Sequence, residues 1–196
     1  MTTSMEPPDD PDAGGGGGRG RGGPPAPRVT KEGGHNRFVW DARYSTGLSA
    51  PPGAYQARIK AGEWTATEPF NLLIDPRVAA GGVTVADLKE QFDHNVRMRE
   101  FSAQVGQLVT RVRAGLNNPD AAKAAKLRAI YEKLVNTPDG VRYNKPGLQA
   151  HVQYLAGMTT GVDQKIGRDA IERYQGLKKE YEALAAEAAL LLGPGL

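Results

Sequence analysis

The sequence contains no cysteine among its 196 residues. This absence excludes disulfide bonds, thiolate metal sites and cysteine nucleophiles. Long apolar runs are also lacking, so we expect no membrane insertion. The first twelve residues are acidic and have no apolar segment, unlike a secretory signal peptide. As written, the chain is therefore expected to be soluble and cytoplasmic.

Groups that could carry catalysis or bind a metal are scattered. The three histidines, His35, His94 and His151, have no second ligand at the spacing that metals require. The acidic residues recur at positions expected to face solvent, and the serines lack the sequence context of a hydrolase nucleophile. We therefore expect no catalytic residue, no metal and no cofactor, and we do not expect an enzyme.

Charge of one sign is not in excess. The chain has 25 basic and 22 acidic residues, which gives a net charge of +3. A glycine tract containing Arg19 and Arg21 resembles RNA-binding segments, but four acids against these two arginines make the first 27 residues net negative. Its matches to Gly-x-Gly-x-x-Gly have no preceding strand and no following helix. We therefore expect no nucleic-acid partner.

Glycine and proline are concentrated at the start of the chain, whereas Leu, Ala and Val dominate after Asp75. The composition predicts an α+β protein in three parts. Residues 1–34 are expected to be a disordered Gly/Pro-rich linker. Residues 35–76 are expected to form a partial Ig-like β module, and residues 84–192 an antiparallel four-helix bundle.

Three short strands are predicted in the β module. The first covers residues 36–44, where aromatic residues alternate with others, and the second covers residues 54–60. A tight reversal at Ala61-Gly62 leads into the third strand, residues 63–74, which Pro69 is expected to interrupt. The second strand is predicted to be half-buried. Such a small sheet cannot bury a core alone, so either strands are missing or the helices cover it.

The remaining chain has apolar residues at helical spacing. Thr84 is predicted to cap a long first helix, with Asp87 in its first turn, and Asn118 is predicted to cap the second. That second helix should end at Pro138-Asp139-Gly140. A third helix is expected from about Pro146, with Met158 on its buried face, and a fourth after a cap near Asp163.

Basic and aromatic residues of the predicted strands form the candidate interaction surface. A sugar- or base-stacking surface is one interpretation of them. The other, which we favour, is that the aromatic rings pack against the helices or a missing sheet. The six residues are Arg37, Trp40, Arg43, Tyr55, Arg58 and Trp64.

Several segments together resemble the C-terminal region of large bacterial proteins with a sortilin-like β-propeller of the VPS10, BNR or WD40/YVTN type. These proteins are often labelled glycosyl hydrolases. The strand pair is also similar to part of an Ig-like module of the flagellar hook-scaffold type. The segments are Asn-Arg-Phe-Val-Trp-Asp-Ala-Arg-Tyr (36–44), Ala-Pro-Pro-Gly-Ala-Tyr-Gln-Ala-Arg (50–58), Asp-Pro-Arg (75–77), residues 88–92, Gln-Tyr-Leu-Ala-Gly-Met (153–158) and Asp-Ala-Ile-Glu-Arg-Tyr (169–174).

The resemblance implies a non-catalytic accessory region, a fragment that docks against or spaces a propeller absent from this chain. Any hydrolase activity would belong to that propeller, and the parent protein would be periplasmic or extracellular. Two alternatives remain open: a free-standing protein- or carbohydrate-binding module, in which the bundle binds a helix or the open sheet edge accepts a strand, and a hydrolase in its own right.

Overall fold

The computed structural model describes residues 33–135 and 145–193. Its chain divides into two units, one ending at Ala50 and the other beginning at Pro51. Nearly all of the predicted linker, and the predicted end of the second helix at residues 138–140, lie outside the described residues.

The predicted strand over residues 36–44 is wrong. The only pairing there is an isolated bridge between Arg43 and Ser49. The segment instead turns on itself: the Tyr44 N–H donates to the Leu48 carbonyl at 2.9 Å, and the Ala50 N–H donates to the Ala42 carbonyl at 2.7 Å. Aromatic alternation suits a strand only where a neighbouring strand accepts the backbone hydrogen bonds, and here the local turn satisfies them.

The second unit begins with a β-hairpin. Strands β1 (Gly53–Ala61) and β2 (Trp64–Leu72) form a two-stranded antiparallel sheet, which confirms the predicted pair. Gly62 has φ +62° at the first position of the two-residue turn, the conformation a type II′ turn requires. Pro69 does not interrupt β2, because it pairs in register with Gln56.

A short helix that the sequence did not predict follows the hairpin. Helix α1 spans Pro76–Ala80, with Pro76 at its first position and Asp75 as its N-cap. The Asp75 carboxylate accepts from the Arg77 backbone N–H at 2.8 Å and pairs with the Arg77 guanidinium at 2.7 Å. The hydrogen bond from the Arg77 side chain is the main reason that the pKa of Asp75 falls to about 2.

Four main helices follow, as predicted: α2 (Val85–Gly115), α3 (Ala121–Leu134), α4 (Leu148–Thr160) and α5 (Arg168–Leu192). Thr84 and Asp87 form a reciprocal capping box at α2, which confirms the predicted start. The predicted cap of α3 is wrong, since Asp120 caps it and Asn118 accepts from the Asp120 N–H. Helix α5 begins after Gly167, later than the predicted break at Asp163.

The hydrophobic core lies among these four helices. Phe101 sits at its centre and meets Tyr174 and Tyr181 edge-on, with ring centroids 5.7 and 5.5 Å away. Met158 of α4, which was predicted on the buried face of its helix, is exposed instead. The buried core residues are Met98, Phe101, Val105, Leu108, Val109, Val112, Leu127, Ile130, Leu134, Leu148, Val152, Leu155, Leu177, Leu184 and Ala188.

Helix α5 runs parallel to α2. Near the start of α2, the His94 ring meets Tyr174, and farther along Phe101 meets Tyr181. At the far end, the Arg111 guanidinium donates to the Gly193 carbonyl. Contacts therefore advance along both helices in the same direction.

Helices α3 and α4 share the third arm of the bundle, and both run opposite to α5 and α2. Lys133 lies 4.0 Å from Glu187, whereas the earlier residue Leu127 and the later residue Leu192 both border Gly115. Helix α3 is therefore antiparallel to α5. The Gly147 N–H donates to the Val135 carbonyl at 2.9 Å, which places the start of α4 at the end of α3. The four helices thus form a three-arm bundle, in which α2 is one arm, α5 is the second, and α3 followed by α4 is the third.

The first half of α2 buries polar side chains that an apolar stripe does not predict. Gln91 donates to the carbonyls of Thr159 and Val162 at 2.8 and 2.7 Å, and Asn95 donates to Thr159 at 3.0 Å. These bonds satisfy carbonyls at the end of α4 that no helical N–H can reach. The apolar residues Phe92 and Val96 of the same part of α2 are only half-buried.

Candidate functional site

The hairpin has one apolar and one polar face. Directly opposed residues in an antiparallel pair project to the same side of the sheet. The register pairs Tyr55 with Phe70, Ile59 with Ala66 and Ala61 with Trp64, so these side chains share one face. The same face carries one charged residue, Glu68, opposite Ala57. The other face carries Gln56, Arg58, Lys60, Thr65, Thr67 and Asn71.

The middle and the tip of the apolar face are exposed. Ile59, in the middle of the apolar face, is 59% exposed, and Trp64, at its tip beside the turn, is 58% exposed. The predicted half-burial of the second strand is therefore wrong, since of β1 only Tyr55 is even partly buried. The alternation was interpreted correctly as two faces, but the helices do not cover the apolar one.

Tyr55 and Phe70 close the base of this face. Their rings stack with centroids 5.8 Å apart and planes inclined by 23°. The Tyr55 hydroxyl donates to the Pro51 carbonyl at 2.5 Å, which ties the ring to the chain entering β1. One end of the apolar face is thus held in place while the Trp64 end projects.

The two edges of the hairpin differ. In a hairpin closed by a two-residue turn, the pair beside the turn is hydrogen-bonded and later pairs alternate. Counting from Ala61 and Trp64, the pair of Gln56 and Pro69 is a non-hydrogen-bonded one. The missing N–H of Pro69 therefore costs no bond within the hairpin and removes a donor from the outer edge of β2. The outer edge of β1 contains no proline and keeps its donors.

The six predicted surface residues fall into two groups. Arg37, Trp40 and Arg43 lie in the first unit, where the Trp40 indole donates to the Arg43 carbonyl at 2.8 Å and the Arg43 guanidinium donates to the Gly47 carbonyl at 2.8 Å. Tyr55, Arg58 and Trp64 lie on the hairpin of the second unit. Within that hairpin, Arg58 is on the face opposite to Tyr55 and Trp64.

Ile59 and Phe70 belong to the apolar face but were not predicted as site residues. The signal was present, since both stood at alternate positions of the predicted strands with Tyr55 and Trp64. They were interpreted as core because an apolar alternation is the same for a covered and an uncovered face.

The other groups that could carry chemistry are dispersed. Within residues 33–135 and 145–193, no cluster of three His, Asp or Glu side chains is placed to hold a metal ion. His94 is 1% exposed, and its Nε2 atom has no hydrogen-bond partner. Burial is the main cause that lowers its pKa, followed by the nearby charge of Arg97. In the described part of the chain, no helix is long and apolar enough to cross a membrane.

Comparison with known proteins adds no relative to these observations. No protein-family model, no curated protein and no solved structure matches the chain.

Proposed function

We propose that the chain is a non-catalytic interaction module whose helical bundle presents the β1–β2 hairpin to a β-sheet of a partner protein. The observation that carries this proposal is the exposed middle and tip of the apolar face, where Ile59 and Trp64 are more than half exposed. A two-stranded hairpin is at best marginally stable in water, and a third strand or a packed layer is what stabilises it. The partner supplies that layer.

The edge chemistry favours a β partner that joins at β1. A strand added to a sheet edge needs alternating backbone donors and acceptors along that edge. Gln56, Arg58 and Lys60 direct their backbone groups outward from β1, whereas Pro69 withholds a donor on β2. We therefore place the partner strand beside β1 and the rest of its sheet over the apolar face.

The resemblance to sortilin-like propeller proteins suggests which protein provides this sheet. In that setting, the missing strands of the Ig-like module would pair with β1, and the helical bundle would act as the accessory region beside the propeller. The hydrolase label of such proteins would then belong to the propeller.

Amide hydrogen exchange measured by mass spectrometry tests the proposal. In the full chain alone, we expect amides of residues 53–72 to exchange much faster than those of the buried half of α2 around Val105. Adding a purified propeller and its adjoining Ig-like strands from a sortilin-like protein should slow exchange along β1.

Two variants on opposite faces of the hairpin make the test specific. Ile59→Lys places a second charged group on the apolar face, near Glu68, and should abolish the slowing, whereas Thr67→Lys changes the polar face and should preserve it. Equal protection of hairpin and α2 in the chain alone, or an equal response of both variants to the partner, would contradict the proposal.

A further inference from the structure

Helix α4 differs from the other main helices in its charge. No Asp, Glu, Lys or Arg occurs between Lys145 and Asp163, a segment that includes all of α4. Helices α2, α3 and α5 all carry several charged residues on their exposed sides. A surface helix normally has many charged or polar residues opposite its buried stripe. The exposed side of α4 has only Gln153 and Thr160 as polar side chains beside Tyr154 and Met158, which indicates a side that contacts something other than water.

The outer side of α4 also exposes large apolar groups. Tyr154 is 70% exposed, Met158 is 54% exposed, and Val162, just beyond the helix end, is 65% exposed. Tyr154 and Met158 are four residues apart and therefore adjacent on the helix surface. The buried stripe of α4 points elsewhere, since Leu148, Val152, Leu155 and Thr159 contact the bundle.

We propose that this outer side of α4 binds a second copy of the same chain, with the two α4 helices antiparallel about a two-fold axis. The absence of charge on this side of α4 favours a second copy of the chain over a charged partner protein. An uncharged apolar surface leaves the charges of a charged partner desolvated and unpaired, which costs free energy. Among the main helices, α4 itself is the one whose exposed side meets this condition, so self-pairing desolvates no carboxylate, ammonium or guanidinium group.

The shape of this side is self-complementary as well. In an antiparallel pair centred between Leu155 and Ala156, Tyr154 of each copy faces Gly157 of the other. Gly157 is exposed and has open space where a side chain would stand, so the ring has room. A two-fold interface requires that the same patch supply both the projecting group and the space that accepts it.

Sedimentation velocity of the full chain over a range of concentrations tests the proposal. We expect a monomer–dimer equilibrium in which Tyr154→Glu weakens association at least tenfold, because the carboxylate is desolvated in the pair. Leu190→Glu is the matched control, since Leu190 is an exposed apolar residue of α5, and it should leave the equilibrium unchanged. The monomers of both variants should melt as the unchanged monomer does.

The hairpin provides the second control. Ile59→Lys, which should disrupt the function proposed above, should leave the dimer intact, so the two proposals can fail separately. A chain that stays monomeric at every concentration would overturn the α4 pairing. So would a dimer that Ile59→Lys or Leu190→Glu dissociates and Tyr154→Glu does not.

Cross-linking tests whether the two α4 helices are antiparallel, because the chain contains no cysteine that would compete with an introduced one. A single Gln153→Cys substitution, at an exposed position that leaves Gly157 open, places the two thiols about 7.5 Å apart along the antiparallel axis, within reach of a short bis-maleimide. Ala150→Cys places them about 16 Å apart along that axis, and its cross-linking should be much weaker. Efficient cross-linking from both positions would indicate parallel helices and would overturn the two-fold pairing as proposed.

Discussion

At the scale of single residues, Gly147, the N-cap of α4, lies against the end of α3, where there is no space for a side chain. A Cβ atom at this position would lie 2.5 Å from the Val135 carbonyl oxygen, which belongs to the backbone and cannot move aside as a side chain can. We expect Gly147→Ala to lower the free energy of unfolding by about 1–3 kcal/mol through overpacking, as measured by urea denaturation.

Gly176 provides the control for that substitution. It lies on the exposed side of α5 and has no atom within 4 Å of the added Cβ. Alanine is the better helix former by about 1 kcal/mol, so Gly176→Ala should raise stability. Destabilisation by both substitutions to the same extent would show that the close approach at Gly147 is not the cause.

His94 makes stability depend on pH. Because burial lowers its pKa, the folded chain binds the proton less readily than the unfolded chain, whose histidine pKa is about 6.5. The contribution of neutral His94 to the free energy of unfolding is therefore complete above about pH 6.5 and is lost as the pH falls toward the lower pKa of the folded chain. Glu90, which raises the pKa, only partly opposes the burial and the charge of Arg97.

The measurement compares the unchanged chain with His94→Gln from pH 7.5 to pH 5. The free energy of unfolding should fall more steeply with acid in the unchanged chain, since glutamine does not titrate. Parallel curves would mean that His94 has the same pKa in the folded and unfolded states.

At the scale of elements, Gln91 fastens α2 to the end of α4. Its amide nitrogen donates to two carbonyls and its oxygen accepts from the Gln164 N–H at 3.2 Å. Gln91→Leu keeps a similar volume but removes these bonds in a buried place, so we expect a loss of about 1–3 kcal/mol in thermal or urea unfolding. Gln104→Leu, on the exposed side of α2, should have little effect, and equal losses would contradict this role.

Elements with strong local signals could be predicted from the sequence. Thr84 and Asp87 fix the start of α2 through a capping box made by residues three apart. The hairpin turn depends on the positive φ of Gly62, a conformation that glycine adopts without help from distant residues. The α3 start was missed by two residues because Asn118 and Asp120 are both good caps, and only the folded chain decides between them.

Elements that depend on distant partners could not be predicted in the same way. The apolar alternation of β1 is identical whether a layer covers it or not, so its exposure was missed. The burial of Gln91 and Asn95 has no local sequence signal, because the carbonyls that they satisfy lie far along the sequence, in and after α4. The resulting candidate surface kept Tyr55 and Trp64 but omitted Ile59 and Phe70.

At the scale of the whole molecule, the core and the candidate site occupy different parts of the chain. Every residue of the main core cluster lies between Met98 and Ala188, within the three-arm bundle. The hairpin contributes an exposed apolar face instead of buried area. Since burial of apolar surface is the main source of stability, the bundle should be stable without the hairpin.

This separation predicts the effect of removing residues 1–74, so that the chain begins at the Asp75 cap of α1. The free energy of unfolding in urea should change by less than about 1 kcal/mol, because the deletion removes no residue of the core cluster. The slope of the urea dependence should hardly fall, since that slope follows the area exposed on unfolding. A large loss of stability, or a transition that is no longer cooperative, would mean that the hairpin supports the bundle. An unchanged transition would leave the apolar face of the hairpin without a role in folding, and contact with a partner would then be the reason for its side chains.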